Sequence, residues 1–243
     1  MVKLQPTKSA IVVYTAVAGG FDTPFSLQEK LEGVRYVAYS DVPFKSDFWE
    51  VRGMNAYEHD NPRRRTRYFK MHPHLLFPEA KVTVWLDAST DITTSLYEIL
   101  DYSEPHDLVG RTHPVRSCAY QEGVALAKLG YPVKPIATQL KRYDKEGFPD
   151  DYGLMECRIL VRKNNELNKK FNELWFEEYE QGSERDQVSM MYCVWKTQLD
   201  VNMLPFKWVK HRSQKQRYGY LKYLRYGYLK YLLYNNKLLR CKF

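Results

Sequence analysis

Lys81-Val-Thr-Val-Trp-Leu-Asp-Ala-Ser-Thr-Asp91 is the stretch on which the fold turns. Val82 to Trp85 are β-branched or aromatic, and Leu86 continues the apolar run, which predicts a buried strand. The run stops at Asp87, with Ser89 and Asp91 following at intervals of two. Ligands of open α/β sheets bind beyond the carboxyl ends of the strands. A buried strand that delivers carboxylates at that end is placed to hold a divalent cation. The plainer alternative is an Asp-rich turn after a core strand.

Upstream, Ala10–Val17 (AIVVYTAV) is a continuous apolar run and reads as a first central strand. Gly19 and Gly20 follow it and allow a tight turn with close backbone approach to a ligand. The segment has neither the GxGxxG nor the Walker pattern of a phosphate-cradling loop. Val34–Ser40 reads as a second strand ending on Asp41, either a nucleotide contact or the start of a turn to Pro43. Asp47–Arg52 reads as a short strand. Asn61-Pro62 predicts a helix start, with Asn61 as N-cap. That helix carries Arg63, Arg64, Arg65, Arg67 and Lys70. Its cationic stripe is either a solvated face or, at Arg67 and Lys70, a contact for diphosphate.

Downstream, helices are expected over Ser95–Leu100, Tyr120–Leu129, Pro135–Tyr143, Leu167–Tyr179 and Glu184–Trp195. Ser183 is expected to cap the last of these, with Asp186 as the capping-box acid. Strands are expected at Leu108–Val109 and Leu154–Arg162. The polar segment between Gly110 and Gly123, with His113 before Pro114, reads as a functional loop, or His113 is simply a surface residue. The alternation of strands and helices predicts an α/β domain with a mainly parallel central sheet flanked by helices. One domain is expected over 1–206, followed by a tail over 207–243.

The net charge of +8 is unevenly spread. Eleven Lys and Arg fall in 207–243 and no Asp or Glu follows Asp200, so the tail carries +11 and residues 1–206 are left at −3. A slightly acidic body argues against a nucleic-acid partner. The tail repeats Tyr218-Gly-Tyr-Leu-Lys-Tyr-Leu-Arg225 as Tyr226-Gly-Tyr-Leu-Lys-Tyr-Leu-Leu233. Interleaved Lys, Arg and Tyr suit a helix at an anionic membrane surface, or one packed on the body or on a partner. The four Cys, at 118, 157, 193 and 241, fit no zinc spacing. The expectation is reduced thiols and a cytoplasmic location, peripheral on the cytosolic face of a membrane. Neither a signal-peptide core nor an apolar run of about 18–20 residues is evident.

Arg67-Tyr-Phe-Lys-Met-His-Pro-His-Leu-Leu-Phe-Pro-Glu-Ala-Lys-Val-Thr-Val-Trp-Leu-Asp-Ala-Ser89 resembles the signature of GT-A type nucleotide-sugar glycosyltransferases. It is most similar to the glycosyltransferase-like family long known as a domain of unknown function in bacterial polysaccharide loci, plants and large viruses. TAVAGGFD, THPVRSCAYQEG, GFPDDYGLMECRILVRKNN and SERDQVSMMYCVW match in the same order, spanning about residues 10 to 196. The resemblance implies a GT-A-like fold, a nucleotide-diphospho-sugar donor, and a glycan or glycoprotein acceptor. It also implies Mn²⁺ or Mg²⁺ on an Asp-x-Asp, here Asp87 and Ser89, with Asp91 two further on and His211 as a late ligand. Ser in place of a carboxylate is a departure, since a hydroxyl is a poor ligand for a hard cation.

Donor contacts are then expected from Ala16, Gly19, Asp41, Arg67, Lys70, Asp87, Ser89 and His113. An acceptor base is expected from Asp186, Glu156 or Glu122. The alternative for Asp186 is a helix N-terminal charge. Two rival functions share such a fold: a nucleotidyltransferase and a non-catalytic sugar-nucleotide-binding protein.

Overall fold

The computed structural model describes residues 10–20, 24, 26–27 and 29–211, with the side chain of His211 outside that set. Seven strands form the main sheet. They are β1 (Ile11–Val17), β2 (Val34–Ser40), β3 (Glu50–Arg52), β4 (Val82–Leu86), β6 (Leu108–Thr112), β7 (Met155–Lys163) and β8 (Val201–Leu204). Their order is β3-β2-β1-β4-β7-β6-β8. Neighbours are parallel except at β7, which runs antiparallel to both β4 and β6. Six strands therefore end at one edge of the domain, and β7 begins there. A second sheet pairs β5 (Thr90–Ile92) with β9 (Val209–His211).

Helices cover both faces of the main sheet, as a mainly parallel sheet requires. They are α1 (Pro62–Met71), α2 (Pro73–Leu76), α3 (Leu96–Ser103), α4 (Ala119–Lys128), α5 (Val133–Lys145), α6 (Glu166–Gln181) and α7 (Asp186–Thr197). Strand alternation sends Tyr14 and Trp85 to one core with Phe69, Phe77, Trp175 and Met190. It sends Val13, Val84 and Leu86 to the other, with Leu96 and Ile99 of α3. Burying each such aliphatic or Phe side chain contributes roughly 1.5–3 kcal/mol.

Local chemistry explains the element that positions the site. The Asn61 side chain accepts from the Arg63 amide at 2.9 Å, and Pro62 opens α1 where a missing N–H costs nothing. Pro73 ends the helix two residues early, and α2 restarts it. The last turn of α1 is then locked from below. Arg162 of β7, 1% exposed, donates to the Tyr14 hydroxyl at 2.5 Å, the Lys70 carbonyl at 2.7 Å and Asn172 Oδ1 at 2.8 Å. One buried guanidinium thus ties α1 to β1, β7 and α6, and it fixes where Lys70 points.

The structure departs from expectation in several places. The α7 helix starts at Asp186 with Arg185 at its N-cap, and Ser183 does not cap it. The Ser183 amide is instead drawn to Gln139 Oε1 at 3.0 Å, and Glu184 adopts φ 54°. That left-handed residue turns the chain before the helix can begin. The segment read as a loop after Gly110 is strand to Thr112 and helix from Ala119. The boundary expected at 206/207 falls inside the fold, because β9 pairs with β5 and Val209 is fully buried. The repeat-bearing part of the tail lies outside the described residues. Among those residues no helix is long and apolar enough to cross a membrane. Cys118, Cys157 and Cys193 are buried free thiols.

Candidate active site

Four side chains meet where β4 ends. Asp87 follows the strand, and its amide donates to the Arg158 carbonyl of β7 at 2.8 Å. Its Oδ1 accepts from Trp85 Nε1 at 2.8 Å and from Lys70 Nζ at 3.4 Å. The same Lys70 Nζ donates to Asp186 Oδ2 at 2.8 Å. Arg67 Nε lies 2.9 Å from that oxygen, a charge contact whose angle is not that of a hydrogen bond. Two cations and two carboxylates thus interlock through one ammonium.

Burial separates the two acids. Asp87 keeps 30% of its side chain exposed, whereas Asp186 and Lys70 keep 5% and 1%. Burial alone would raise the Asp186 pKa, but Arg67, Lys70 and Arg185 outweigh it and hold the carboxyl well below the usual range. Burial likewise opposes the charge on Arg67, and Asp186 and Asp87 override it and raise its pKa. A carboxylate held so firmly ionised is a poor proton acceptor. Asp186 therefore acts on Lys70 and Arg67 rather than as an available base.

A second group gathers at the ends of β1 and β2. Gly19, at φ 69°, donates its amide to Asp41 Oδ2 at 2.8 Å, and Arg65 Nη2 donates to the same oxygen at 2.8 Å. Asp41 Oδ1 is buried with no partner among the described residues. Ala16 is buried in β1, with Tyr39 as its neighbour in the register. Gly19, Asp41 and Asp87 all sit beyond the carboxyl ends of parallel strands.

On β7, Glu156 is fully engaged. Its Oε1 accepts from Arg158 Nε at 3.2 Å and Nη2 at 3.0 Å, and its Oε2 accepts from Arg111 Nη1. A register shift in β6 between Gly110 and Arg111 brings Arg111 opposite Glu156. Arg158 Nη1 also donates to Ser89 Oγ at 3.4 Å. Glu122 is 2% exposed and accepts from Arg116 Nε at 2.5 Å. His113 does not reach the Asp87 group. Its Nδ1 accepts from the Val115 and Arg116 amides at 3.2 and 3.0 Å, which pins its own loop. Burial and Arg116 lower its pKa, so the ring is neutral at physiological pH.

The donor set at Asp87 does not fit a hard divalent ion. Such ions want several oxygen ligands with net negative charge. Here the nearest charged neighbour of Asp87 is an ammonium, and the Ser89 hydroxyl is turned to a guanidinium. Asp91 lies on β5 opposite Lys210, and alternation places it on the other face from buried Thr90 and Ile92. His211 is opposite Thr90 by backbone register. No three His, Cys, Asp or Glu side chains form a metal-binding group among the described residues.

Some residues of the site were not anticipated from sequence: Trp85, Arg65, Tyr131, whose hydroxyl accepts from Arg185 Nη1 at 3.2 Å, and Tyr179, whose buried hydroxyl has no partner among the described residues. Trp85 had a usable signal, since a side chain two residues before Asp87 on a strand shares its face. The others come together only through the fold.

A mainly parallel α/β sheet with carboxylates and cations beyond its strand ends is an architecture that places ligands at that edge. Within that class the assignment is specific. Residues 32–218 match the profile of the TOD1/MUCI70, glycosyltransferase-like domain family, and the chain belongs to that family. A probable hexosyltransferase, MUCI70 of Arabidopsis thaliana, is 24% identical over 157 residues, covering 60% of this chain. The chain spans only 27% of that relative's length. The apo WbbM bifunctional glycosyltransferase structure aligns over 86% of this chain and 40% of its own, with 13% identity and a TM-score of 0.46.

Proposed function

We propose that this chain transfers a sugar from a nucleotide-diphospho-sugar to a hydroxyl of a glycan or glycoprotein acceptor. The observation that carries the reading is Asp87, a half-exposed carboxylate at the end of central strand β4, oriented by Trp85 and Lys70. Family membership supports it. The nucleoside would lie over the ends of β1 and β2, where the buried, unpartnered Asp41 Oδ1 can accept from a base or ribose donor. Breaking the anomeric bond leaves a diphosphate with added negative charge. Stabilising it is mainly an electrostatic task, performed by pre-oriented cations in a partly dry site.

Asp186 positions Lys70 and Arg67 for that task. Glu156, paired with Arg111 and Arg158, holds the Arg158 guanidinium whose Nη1 reaches Ser89. Sequence alone supports a cytosolic membrane-surface role for the tail.

The test is a panel of sugar nucleotides incubated with the full chain, with nucleoside diphosphate release and glycan products read by mass spectrometry. One donor should be consumed, and Asp87→Ala should remove more than about 99% of that turnover, as loss of a transition-state contact does. Binding without turnover of any donor would instead support a non-catalytic sugar-nucleotide-binding protein. Release of pyrophosphate from a nucleoside triphosphate would support a nucleotidyltransferase.

A further inference from the structure

We propose that the N-terminus of α7, with Arg63, Arg67, Arg185 and Tyr179, is a diphosphate site that meets the leaving group with protein cations instead of a divalent metal ion. The inference rests on the transferase reading above and names the subsite that reading leaves open.

The α7 helix is 12 residues long, and no side chain caps it. Its N-cap residue is Arg185, which has no acceptor to offer the first amides. Asp186 stands in its first turn and the Val188 amide donates to the Arg185 carbonyl at 3.2 Å, but no side chain caps the first amides, and a helix N-terminus without a side-chain cap suits a phosphate. A second observation is independent of the helix. The Tyr179 residue is 1% exposed, and its hydroxyl has no partner among the described residues. The charges that act on it are Arg67, Asp186, Glu184 and Arg63, so the hydroxyl sits among these groups. A buried donor without an acceptor needs one from elsewhere.

The cations divide in the same way. Arg64 pairs with Glu180 and Glu184, Arg65 with Asp41, and Arg111 and Arg158 with Glu156. Neither Arg63 nor Arg185 has a carboxylate within ion-pair distance among the described residues, and both converge on Tyr131. Their guanidinium carbons lie 6.0 and 4.8 Å from its ring centroid, and Arg185 Nη1 donates to its hydroxyl at 3.2 Å. Arg185 Nε is buried without a partner. Within the interlocked group, Lys70 and Arg67 balance Asp87 and Asp186. Arg63 and Arg185 add positive charge beyond that balance; they act on Glu184 and Asp186 only at a distance, without an ion pair, and can also face a ligand. The location fits too, because Asp186, the first residue of α7, shares Lys70 with Asp87. The poor metal donor set at Asp87 and the surplus of unpaired guanidinium beside it point the same way.

Calorimetry on the full chain tests this with inorganic pyrophosphate, UDP and GDP, in EDTA and then with MgCl₂ or MnCl₂. Wild type should bind at least one probe equally well in both buffers, with affinity falling as salt rises. Arg185→Gln should weaken binding roughly tenfold, and Tyr179→Phe about threefold, typical of losing a charged and a neutral hydrogen bond. Both variants should keep wild-type melting behaviour to within a few degrees, since neither residue holds a buried ion pair. Binding that requires the divalent cation, or that Arg185→Gln leaves unchanged, overturns the proposal. The two readings fail separately. Metal-dependent cleavage of a sugar nucleotide would keep the transferase and discard this site. Metal-free diphosphate binding weakened by Arg185→Gln, without cleavage of any donor, would keep the site and discard the transferase.

Discussion

Replacing Asp186 with Asn should cost stability, while replacing Asp87 with Asn should cost function. Asp186 is the buried acid, with Lys70 at 2.8 Å and Arg67 at 2.9 Å on one oxygen. Asn keeps its shape but leaves an ammonium and a guanidinium facing a neutral amide. Removing one partner of a buried pair destabilises by about 3–5 kcal/mol. Part of that is recovered as Lys70 turns wholly to Asp87, so about 3 kcal/mol is expected for Asp186→Asn. In a chain of this size that lowers Tm by roughly 6–12 °C. Asp87 is half-exposed and its contact to Lys70 is 3.4 Å, so Asp87→Asn should cost about 1 kcal/mol or less. The Asp186 pKa is depressed on folding. Its stabilisation is therefore present above the unfolded value near 3.9 and is lost as pH falls below it. The Asp186→Asn deficit should hold constant from pH 8 to pH 5 and shrink below pH 4. Urea unfolding followed by circular dichroism at four pH values measures both variants. Equal losses, or an Asp186→Asn loss under about 1 kcal/mol, would refute the division of roles.

Further outcomes follow from other sites. His72 and His74 are each 7% exposed, and burial pushes both pKa values down to about 4. Their neutral forms stabilise the fold above the unfolded value near 6.5, and that contribution is lost as pH falls toward 4. The wild type should lose on the order of 3 kcal/mol per His over that window, and His72→Gln should lose measurably less in the same titration. A Cβ on Gly123 would fall 2.3 Å from Leu140 Cδ1 and 3.0 Å from Ile136 Cγ2, where α4 meets α5. Gly123→Ala should destabilise by about 1–2 kcal/mol despite the better helix propensity of Ala; a more stable variant would show that this contact is loose. Trp85→Phe keeps a ring in the core but removes the donor to Asp87. Steady-state kinetics should show kcat falling more than tenfold with a small Tm change, and unchanged kcat would show that Asp87 needs no such orientation.

Much of the architecture was legible because it is locally encoded. The strand Val82–Leu86 announces itself by β-branching and an abrupt polar stop, and Asn61-Pro62 by cap chemistry. The reversed direction of β7 was not legible, since an apolar run carries no sign of its direction in the sheet. The short pairing of β5 with β9 escaped because Thr90 and Val209 lie far apart in sequence and each strand has three residues. The Ser183 cap was misread for a different reason: the Ser-x-x-Asp pattern is present, but Asp186 is recruited by Lys70, 116 residues away, and the chain turns at Glu184. Lys70 itself read either as a cation on a solvated stripe or as a diphosphate contact, and neither reading foresaw that it is buried. Its burial depends on Arg162, Tyr14 and Asp186 arriving from three other elements.

The central claim is that a sugar nucleotide binds at the end of β4, with Asp87 accepting from a donor hydroxyl and the uncapped end of α7 facing the diphosphate. A crystal structure of the full chain with the donor identified in the turnover panel tests it most directly. The account predicts the nucleoside over Gly19 and Asp41, and the diphosphate on Arg185 with Tyr179 donating to it, while Asp87 accepts from a hydroxyl of the donor. A nucleotide bound elsewhere, or a diphosphate reaching Asp87 only through a metal ion while Arg185 and Tyr179 stay apart from it, would contradict the account.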